Sequence, residues 1–265
     1  MRFQILASSS SGNCALLQTA DATILIDAGI SARRIKVLLA GVGLRLDDLD
    51  AVFVTHEHQD HCMGLRGLAK CAGLKVFANR PTLECLRERY PRASGWQCFE
   101  TGSRFRFRDL EVNSFDVPHD ASEPVGFSFR CGDGTLFDPF QQIVWVTDLG
   151  SATTLVRQRI QEADILVIEA NHDPALLEAS QRPWSTKQRI RGRHGHLSND
   201  EAFRTLAETE RPRWKRVYLA HISRECNDVP QLRAQFEPLA RARRVPMEIV
   251  APEGPLPTPL LTGLT

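Results

Sequence analysis

The stretch THEHQDH at residues 55–61 decides the expected fold, because it directly follows the apolar run AVFV at residues 51–54. It holds three of the chain's 8 histidines together with Asp60. At a strand-to-loop turn, His56 and His58 can project to one side, while Asp60 and His61 reach a second point. Imidazole and carboxylate groups suit divalent zinc, manganese or iron. The stretch therefore predicts a metal site at the end of a buried strand; the alternative is a polar, histidine-rich surface loop.

The remaining sequence has the pattern of an α/β protein. Buried strands are predicted at five short apolar runs, residues 23–27, 51–55, 143–147, 165–169 and 217–220. Helical patterns lie at residues 31–39, 63–72, 81–89, 155–162, 198–208 and 230–242. Residues 102–136 alternate, with Phe105 and Phe107 on one face, which is typical of antiparallel strands. These patterns predict two mixed sheets packed face to face and flanked by helices, as one domain over residues 1–265.

Composition and charge exclude several classes of protein. The 265 residues carry 33 Lys and Arg against 32 Asp and Glu, so the formal net charge is only +1. Without a global basic field, binding of a nucleic acid needs a local patch. Because the chain has no apolar run of about 18 residues and no signal-peptide pattern, we expect a soluble protein with no membrane partner. The 7 cysteines, none in CxxC spacing, favour reduced thiols and a cytoplasmic location. The oligomeric state is left open.

The HxHxDH pattern resembles that of the metallo-β-lactamase superfamily, whose αββα sandwich agrees with the architecture expected above. Later motifs follow in the family's order: VPHD at residues 117–120, TDLG at 147–150 and LAHIS at 219–223. The resemblance implies a dinuclear centre with His56, His58 and His119 on one ion, Asp60, His61 and His221 on the other, and Asp148 bridging them. Asp27 matches the family's early aspartate, which implies that it orients a ligand histidine. Taken singly, His119 also fits a loop histidine, His221 a core histidine and Asp148 a helix cap.

Two divalent ions, zinc or manganese with iron as a further option, would determine the reaction class. Metals about 3.5–4 Å apart clamp a bridging hydroxide and stabilise both oxygens of a phosphoryl displacement. Because metal coordination brings the pKa of water down to about 7, that nucleophile exists at neutral pH. Asp60 is expected to orient it as well as to bind metal.

A second pair of motifs indicates which substrate the centre serves. EAN at residues 169–171 and HLS at 196–198 resemble the Glu and His motifs of the ribonuclease Z-like phosphodiesterases. There a glutamate polarises the histidine that protonates the leaving oxygen, which implies these roles for Glu169 and His196. A carboxylate partner raises the pKa of a histidine and fixes its tautomer. The alternatives are a strand-end Glu169 paired to an arginine and a His196 that merely precedes a helix.

A basic run precedes His196. Residues 181–194 read QRPWSTKQRIRGRH and contain five cations and no acid. We expect this run to contact a nucleic-acid substrate, through phosphate charge and base stacking; the alternative is a solvated helix face. The expected contact residues are Arg182, Trp184, Lys187, Arg189, Arg191 and Arg193.

Further motifs narrow the resemblance to the YycJ/WalJ-type members of the superfamily. They include SSSGNC at residues 9–14, EANHD at 169–173 and AHISRECN at 220–227. The resemblance implies a metal-dependent 5′→3′ DNA exonuclease linked to mismatch repair, acting on DNA ends or single strands, without the inserted domain of ribonuclease J-like nucleases. Asn13 is expected beside the metals and substrate. Gln59 and Asn171 depart from common family residues, and we expect them to affect substrate detail.

Other functions stay open at this point. The same pair of Glu169 and His196 would serve hydrolysis of RNA or of small cyclic phosphodiesters. A thioester or lactam hydrolase has no need of that pair. A metal-bound regulatory protein without catalysis is an alternative of a different class.

Overall fold

The computed structural model describes residues 1–136, 138–252, 258 and 261–262, so the expected domain of residues 1–265 reaches beyond the described residues. Within that part, helices flank two seven-stranded sheets. This confirms the predicted fold class, an α/β sandwich of the αββα type. No helix in the described ranges is both long and apolar enough to cross a bilayer.

The first sheet joins an antiparallel half to a parallel half. Its strands are β1 (Arg2–Ala7), β2 (Cys14–Gln18), β3 (Thr23–Ile26), β4 (Ala51–Phe53), β5 (Lys75–Asn79), β6 (Trp96–Phe99) and β14 (Leu261–Thr262). They lie in the order β14-β1-β2-β3-β4-β5-β6. Strands β1 to β3 pair antiparallel, whereas β3 to β6 pair parallel.

The second sheet also joins an antiparallel half to a parallel half. Its strands are β7 (Arg104–Phe107), β8 (Leu110–Asp116), β9 (Val125–Cys131), β10 (Gln141–Val146), β11 (Ile165–Glu169), β12 (Arg216–Ala220) and β13 (Met247–Ile249). The order is β13-β12-β11-β10-β9-β8-β7. Strands β10 to β13 pair parallel and β7 to β10 antiparallel, so β8 runs in the same direction as β10.

Helices cover the outer faces of both sheets. They are α1 (Ala32–Ala40), α2 (Gln59–Cys62), α3 (Leu65–Leu68), α4 (Arg80–Arg89), α5 (Thr154–Gln161), α6 (Pro174–Ala179), α7 (Trp184–Arg191), α8 (Asn199–Glu208) and α9 (Val229–Arg243). Alternate strand residues such as Phe53, Phe127 and Trp145 fill the space between the sheets. The opposite strand faces pack against the helices, as Leu25 does in the first sheet and Val144 in the second. The core thus has three apolar layers.

The predicted helix at residues 63–72 is wrong in length, because the structure has only α3 over Leu65–Leu68. Two glycines explain the compact turn here. A Cβ on Gly64 would lie 2.4 Å from the Ile30 carbonyl oxygen, and one on Gly67 would lie 2.5 Å from the Ala32 Cβ. The segment is thus pressed against the start of α1, which local helical periodicity does not reveal.

Six strands end at one edge of the sandwich, and this edge carries the site. Asp27 follows β3, the 55–61 loop follows β4, and His119 lies beyond β8. Asp148 lies beyond β10, Glu169 closes β11 and His221 follows β12; these are the ends of strands that run in the same direction within their sheet. Carboxyl ends of parallel strands are where α/β sheets present functional groups.

Candidate metal centre

The structure brings all seven predicted ligand side chains together. Ligand atoms within 4.8 Å of one another form four groups among the described residues: His56, His58 and His119; Asp60, His61 and His221; His56, His61 and Asp148; and Asp148, Glu169, His196 and His221. His58 presents Nδ1 towards Nε2 of His119, at 3.3 Å. The first two groups are the two triads expected from the sequence, and Asp148 lies between them.

Asp148 contacts both triads. Its Oδ2 lies 3.1 Å from His61 Nε2, and its Oδ1 lies 3.5 Å from His221 Nε2 and 3.8 Å from His119 Nε2. Asp60 Oδ2 is 3.4 Å from His61 Nε2. Four ligands about 2.1 Å from one ion are themselves about 3.4 Å apart in a tetrahedron. These separations therefore match the spacing that ligands around a divalent ion adopt.

Unpartnered buried atoms test the fit to metal more directly. His56 Nε2, His221 Nε2 and Asp148 Oδ2 are buried and have no hydrogen-bond partner among the described residues. Buried polar atoms are nearly always partnered, and both histidines lie beside Asp148, so a cation at this place would give these atoms a partner. The donor set of imidazole and carboxylate fits a divalent ion.

Asp27 fixes the orientation of His61 from behind. Its Oδ2 accepts from His61 Nδ1 at 2.8 Å, which turns Nε2 towards Asp148. The Thr55 hydroxyl lies 3.0 Å from Asp27 Oδ2 and 3.0 Å from His56 Nδ1. Thr55 is a residue that sequence reasoning did not single out, and it joins the outer sides of two ligand histidines.

Glu169 has more contacts than the sequence suggested. Its Oε1 accepts from His196 Nδ1 at 2.9 Å and from His221 Nδ1 at 2.6 Å. Its Oε2 accepts from the backbone N–H groups of Leu149 and Leu197. One fully buried carboxylate therefore orients both the expected acid and an expected metal ligand.

The electrostatics of the centre follow from burial and from the clustering of opposite charges. Burial by itself would raise the pKa of Glu169, but His196 and His221 outweigh it and lower the pKa to about 2. Burial would lower the pKa of His221, yet Asp148, Asp60 and Glu169 raise it to about 10. Burial and neighbouring imidazoles hold the pKa of His56 well below its usual value. The proton that His221 therefore holds at neutral pH competes with a cation, so metal uptake there releases it, whereas His56 is already deprotonated.

Three residues of the centre have left-handed backbone. Asp27, Asp148 and His221 have φ of 57°, 58° and 55°, each directly or two residues beyond a strand end. This region is sparsely populated by residues other than glycine and concentrates at functional sites. The backbone leaves the sheet abruptly at these positions, which aims each side chain along the sandwich edge.

Asn13 lies in a different setting from the substrate contact that was predicted. It is fully buried, and its Nδ2 is 3.1 Å from the Ser9 carbonyl oxygen and 3.1 Å from His61 Nε2. Its Oδ1 accepts from the Ser9 N–H. Asn13 therefore braces the 9–13 loop against the candidate ligands, and its contact with a substrate stays a prediction.

Two other polar residues also brace the centre. Asn171 Nδ2 donates to the His221 carbonyl oxygen at 2.8 Å, and Asn171 also lines the central cavity, so its link to substrate detail stays a prediction. Glu57, which sequence reasoning missed, accepts from the Ser122 N–H at 2.8 Å and ties the ligand loop to the segment after His119. The position of Glu57 inside the THEHQDH stretch is the sequence signal that could have pointed to this residue.

The basic run forms α7 and its flanks, and most of its cations already have partners. Arg182 pairs with Glu225 at 2.9 Å, Arg189 with Asp120 and Arg191 with Glu178. Arg182 and Arg189 line a cavity of about 200 Å³ that also exposes His58, Asp60 and His196. Arg191 and Arg193 line an adjoining cavity of about 400 Å³ with His196 and His172.

The structure does not bring Lys187 and Trp184 to either cavity. The Lys187 ammonium donates to the Glu178 carbonyl oxygen, and Trp184 stands 59% exposed at the start of α7. Neither side chain lines either cavity, so a substrate contact at these two residues stays a prediction.

Comparisons with known proteins agree with this geometry. The family model described as a beta-lactamase superfamily domain matches residues 22–222. The exodeoxyribonuclease WalJ of Streptococcus pneumoniae is 36% identical over 230 residues, covering 85% of this chain and 83% of that protein. The exodeoxyribonuclease YycJ of Bacillus anthracis is 34% identical, covering 86% and 84%. Zn(2+)-bound PqqB from Methylobacterium extorquens superposes with a TM-score of 0.72 at 17% identity, covering 99% of this chain and 100% of that one.

The chain belongs to the beta-lactamase superfamily. Within this class its sequence is of the WalJ and YycJ type, as the identities over most of both chains show.

Proposed function

We propose that this protein is a metal-dependent 5′→3′ DNA exonuclease that acts on DNA ends or single strands. The observation that carries the proposal is the buried Glu169, which links His196 to the candidate metal ligand His221. This arrangement supports a proton donor beside the proposed metal pair, where the departing oxygen of a phosphodiester takes up a proton. The relatives' names support DNA as the substrate. The polarity, the link to mismatch repair and the cytoplasmic location rest on resemblance and sequence.

The proposed ligands follow the two triads. His56, His58 and His119 would hold one divalent ion, Asp60, His61 and His221 would hold the other, and Asp148 would serve both. The bound pair, zinc or manganese with iron as a further option, supplies an activated water and neutralises charge on the phosphate oxygens.

The chain's own residues supply orientation and the proton. Asp27 and Glu169 hold the ligand imidazoles in one tautomer. Asp60 lines the cavity and orients the attacking water. Because Nδ1 of His196 donates to Glu169, its Nε2 is the atom that delivers the proton to the departing oxygen.

Labelled substrates test the proposal. Purified protein with added manganese is given 5′-labelled single-stranded DNA and RNA of the same sequence, with His61→Ala as the inactive control. We expect mononucleotides from the DNA, released from the 5′ end, and none from the control. Release from RNA alone, or from a cyclic phosphodiester alone, would overturn the DNA assignment. Equal release by the control would overturn the site.

A further inference from the structure

A large groove adjoins the metal centre on the side of the first sheet. It has a volume of about 1200 Å³ and is formed by α3, the end of α4 and residues 90–93. His58 and Gln59 lie in its lining, and His58 also lines the 200 Å³ cavity at the centre. His58 therefore lies between the groove and the centre, so the two cavities adjoin each other.

The groove is basic, and its charge is not neutralised by the protein. Arg66, Lys70, Arg89 and Arg92 line it, and all four are exposed. The described lining contains no acid. Arg66, Lys70 and Arg92 form no ion pair with any acid in the described part of the chain. The cations of α7, in contrast, are largely paired with acids.

Arg89 has a different role from the other three cations. Its guanidinium donates to the Glu57 carbonyl oxygen and lies 3.6 Å from Cys62 Sγ. The Cys62 thiol in turn donates to the His58 carbonyl oxygen at 3.1 Å. These contacts attach the groove to the ligand loop, so a molecule in the groove has a fixed position relative to the centre.

The size of the groove indicates the kind of occupant. Small-molecule pockets are typically about 300–1000 Å³ and mostly apolar. This groove exceeds that range, is lined by free cations and leads away from a centre whose own cavity is about 200 Å³. A polyanion that runs through the centre and continues along α3 satisfies all three features.

We propose that the groove binds the backbone phosphates of the nucleic-acid strand as it continues from the scissile phosphodiester, through Arg66, Lys70 and Arg92. This inference rests on the proposed nuclease function. It places the main electrostatic contact with the strand at α3 and residues 90–93, and not at α7.

The test is the triple variant Arg66→Ala, Lys70→Ala, Arg92→Ala. Each single-strand phosphate neutralised contributes about −0.7 to the slope of log affinity against log salt, so three lost contacts weaken that slope by about 2. We expect this change in binding of a labelled 20-nucleotide strand. We also expect at least about a tenfold fall in the ratio of kcat/KM for the strand to kcat/KM for bis(p-nitrophenyl) phosphate. Because the small diester reports the intact centre, the ratio removes any effect of folding.

Arg33→Ala, Arg34→Ala, Lys36→Ala is the matched control, since it removes two arginines and one lysine that are exposed on α1 and line neither cavity. The control should keep the wild-type slope, and Arg66→Lys with Arg92→Lys should retain it in the groove. If wild type cleaves the strand and the triple variant keeps its slope and ratio, the groove proposal alone is wrong. If wild type hydrolyses the small diester but neither binds nor cleaves the strand, the nuclease proposal fails, and the groove proposal with it.

Discussion

The buried centre and the exposed α7 side of the same cleft are held by different kinds of polar contact. In the centre, His61 and His221 are buried and have buried carboxylate partners, Asp27 and Glu169. On the α7 side, exposed arginines pair with exposed acids, as Arg189 does with Asp120. Breaking a buried charged pair costs about 3–5 kcal/mol, whereas an exposed pair contributes about 0.2–1 kcal/mol.

We therefore expect changes in the centre to affect the catalytic step, and changes on the α7 side to affect substrate affinity. The candidate ligands His56, His61 and His221 each contact a second side chain behind them, so we expect a change at that side chain to affect metal binding. The α7 side chains act nearly independently, and we expect their effects to be graded and small.

Asp148→Asn is expected to have the largest effect. Asparagine tolerates the left-handed backbone that Asp148 adopts, so the change removes charge and leaves the chain path intact. Losing the shared ligand should lower metal content and reduce nuclease kcat/KM by at least about 10³-fold, because metal catalysis supplies several kcal/mol. Elemental analysis and the strand assay measure both. Asp116→Asn, at an exposed position, is the control; full metal content in Asp148→Asn would contradict the shared-ligand assignment.

Glu169→Gln should come next, because one carboxylate serves two histidines. An amide nitrogen cannot accept, so either the imidazoles or the backbone N–H groups of Leu149 and Leu197 lose their partner. We expect about a 10³-fold loss of kcat/KM with about 10–100-fold weaker metal affinity. Titration with manganese at fixed pH gives the affinity. Activity loss with unchanged affinity would show that Glu169 acts through His196 alone.

His196→Ala tests proton donation by His196 separately from the contact of Glu169 with His221. Glu169 keeps its contacts to His221 and to the backbone in this variant. We therefore expect about a 10²-fold fall in kcat with unchanged metal content, since only the proton donor is lost. The deficit should shrink for bis(p-nitrophenyl) phosphate, whose leaving group needs little protonation. Loss of metal from His196→Ala would mean that His196 is itself a ligand.

Much of the centre could be predicted because its information is local. His56, His58, Asp60 and His61 are contiguous, and the remaining ligands follow apolar runs that read plainly as strands. The double contact of Glu169 and the bracing by Thr55 could not be predicted, because they depend on which strand ends meet at the sandwich edge.

For the two basic surfaces, in contrast, the sequence does not show which charges lie close together in the fold. The run at residues 182–193 is conspicuous, but its acidic partners Glu178, Glu225 and Asp120 lie outside it and reach it only in the folded chain. The sequence does not show the cations of the groove as a group, because β5 and α4 separate Arg92 from Arg66 and Lys70 along the chain. Charge in the sequence therefore shows the run without its acidic partners, and it does not show that the cations of the groove lie together.

Arg189→Ala should give the smallest effect. Arg189 lines the central cavity, but its guanidinium is exposed and already bonded to Asp120. Because substrate phosphate must compete with that acid, we expect KM to rise about two- to fivefold with kcat unchanged, and stability to change by less than about 1 kcal/mol. Arg241→Ala, which breaks the exposed pair with Glu237 on α9, is the matched control and should leave both constants unchanged. Steady-state kinetics and urea unfolding measure these values. A fall in kcat of tenfold or more would place Arg189 with the centre and remove the distinction between the two regions of the cleft.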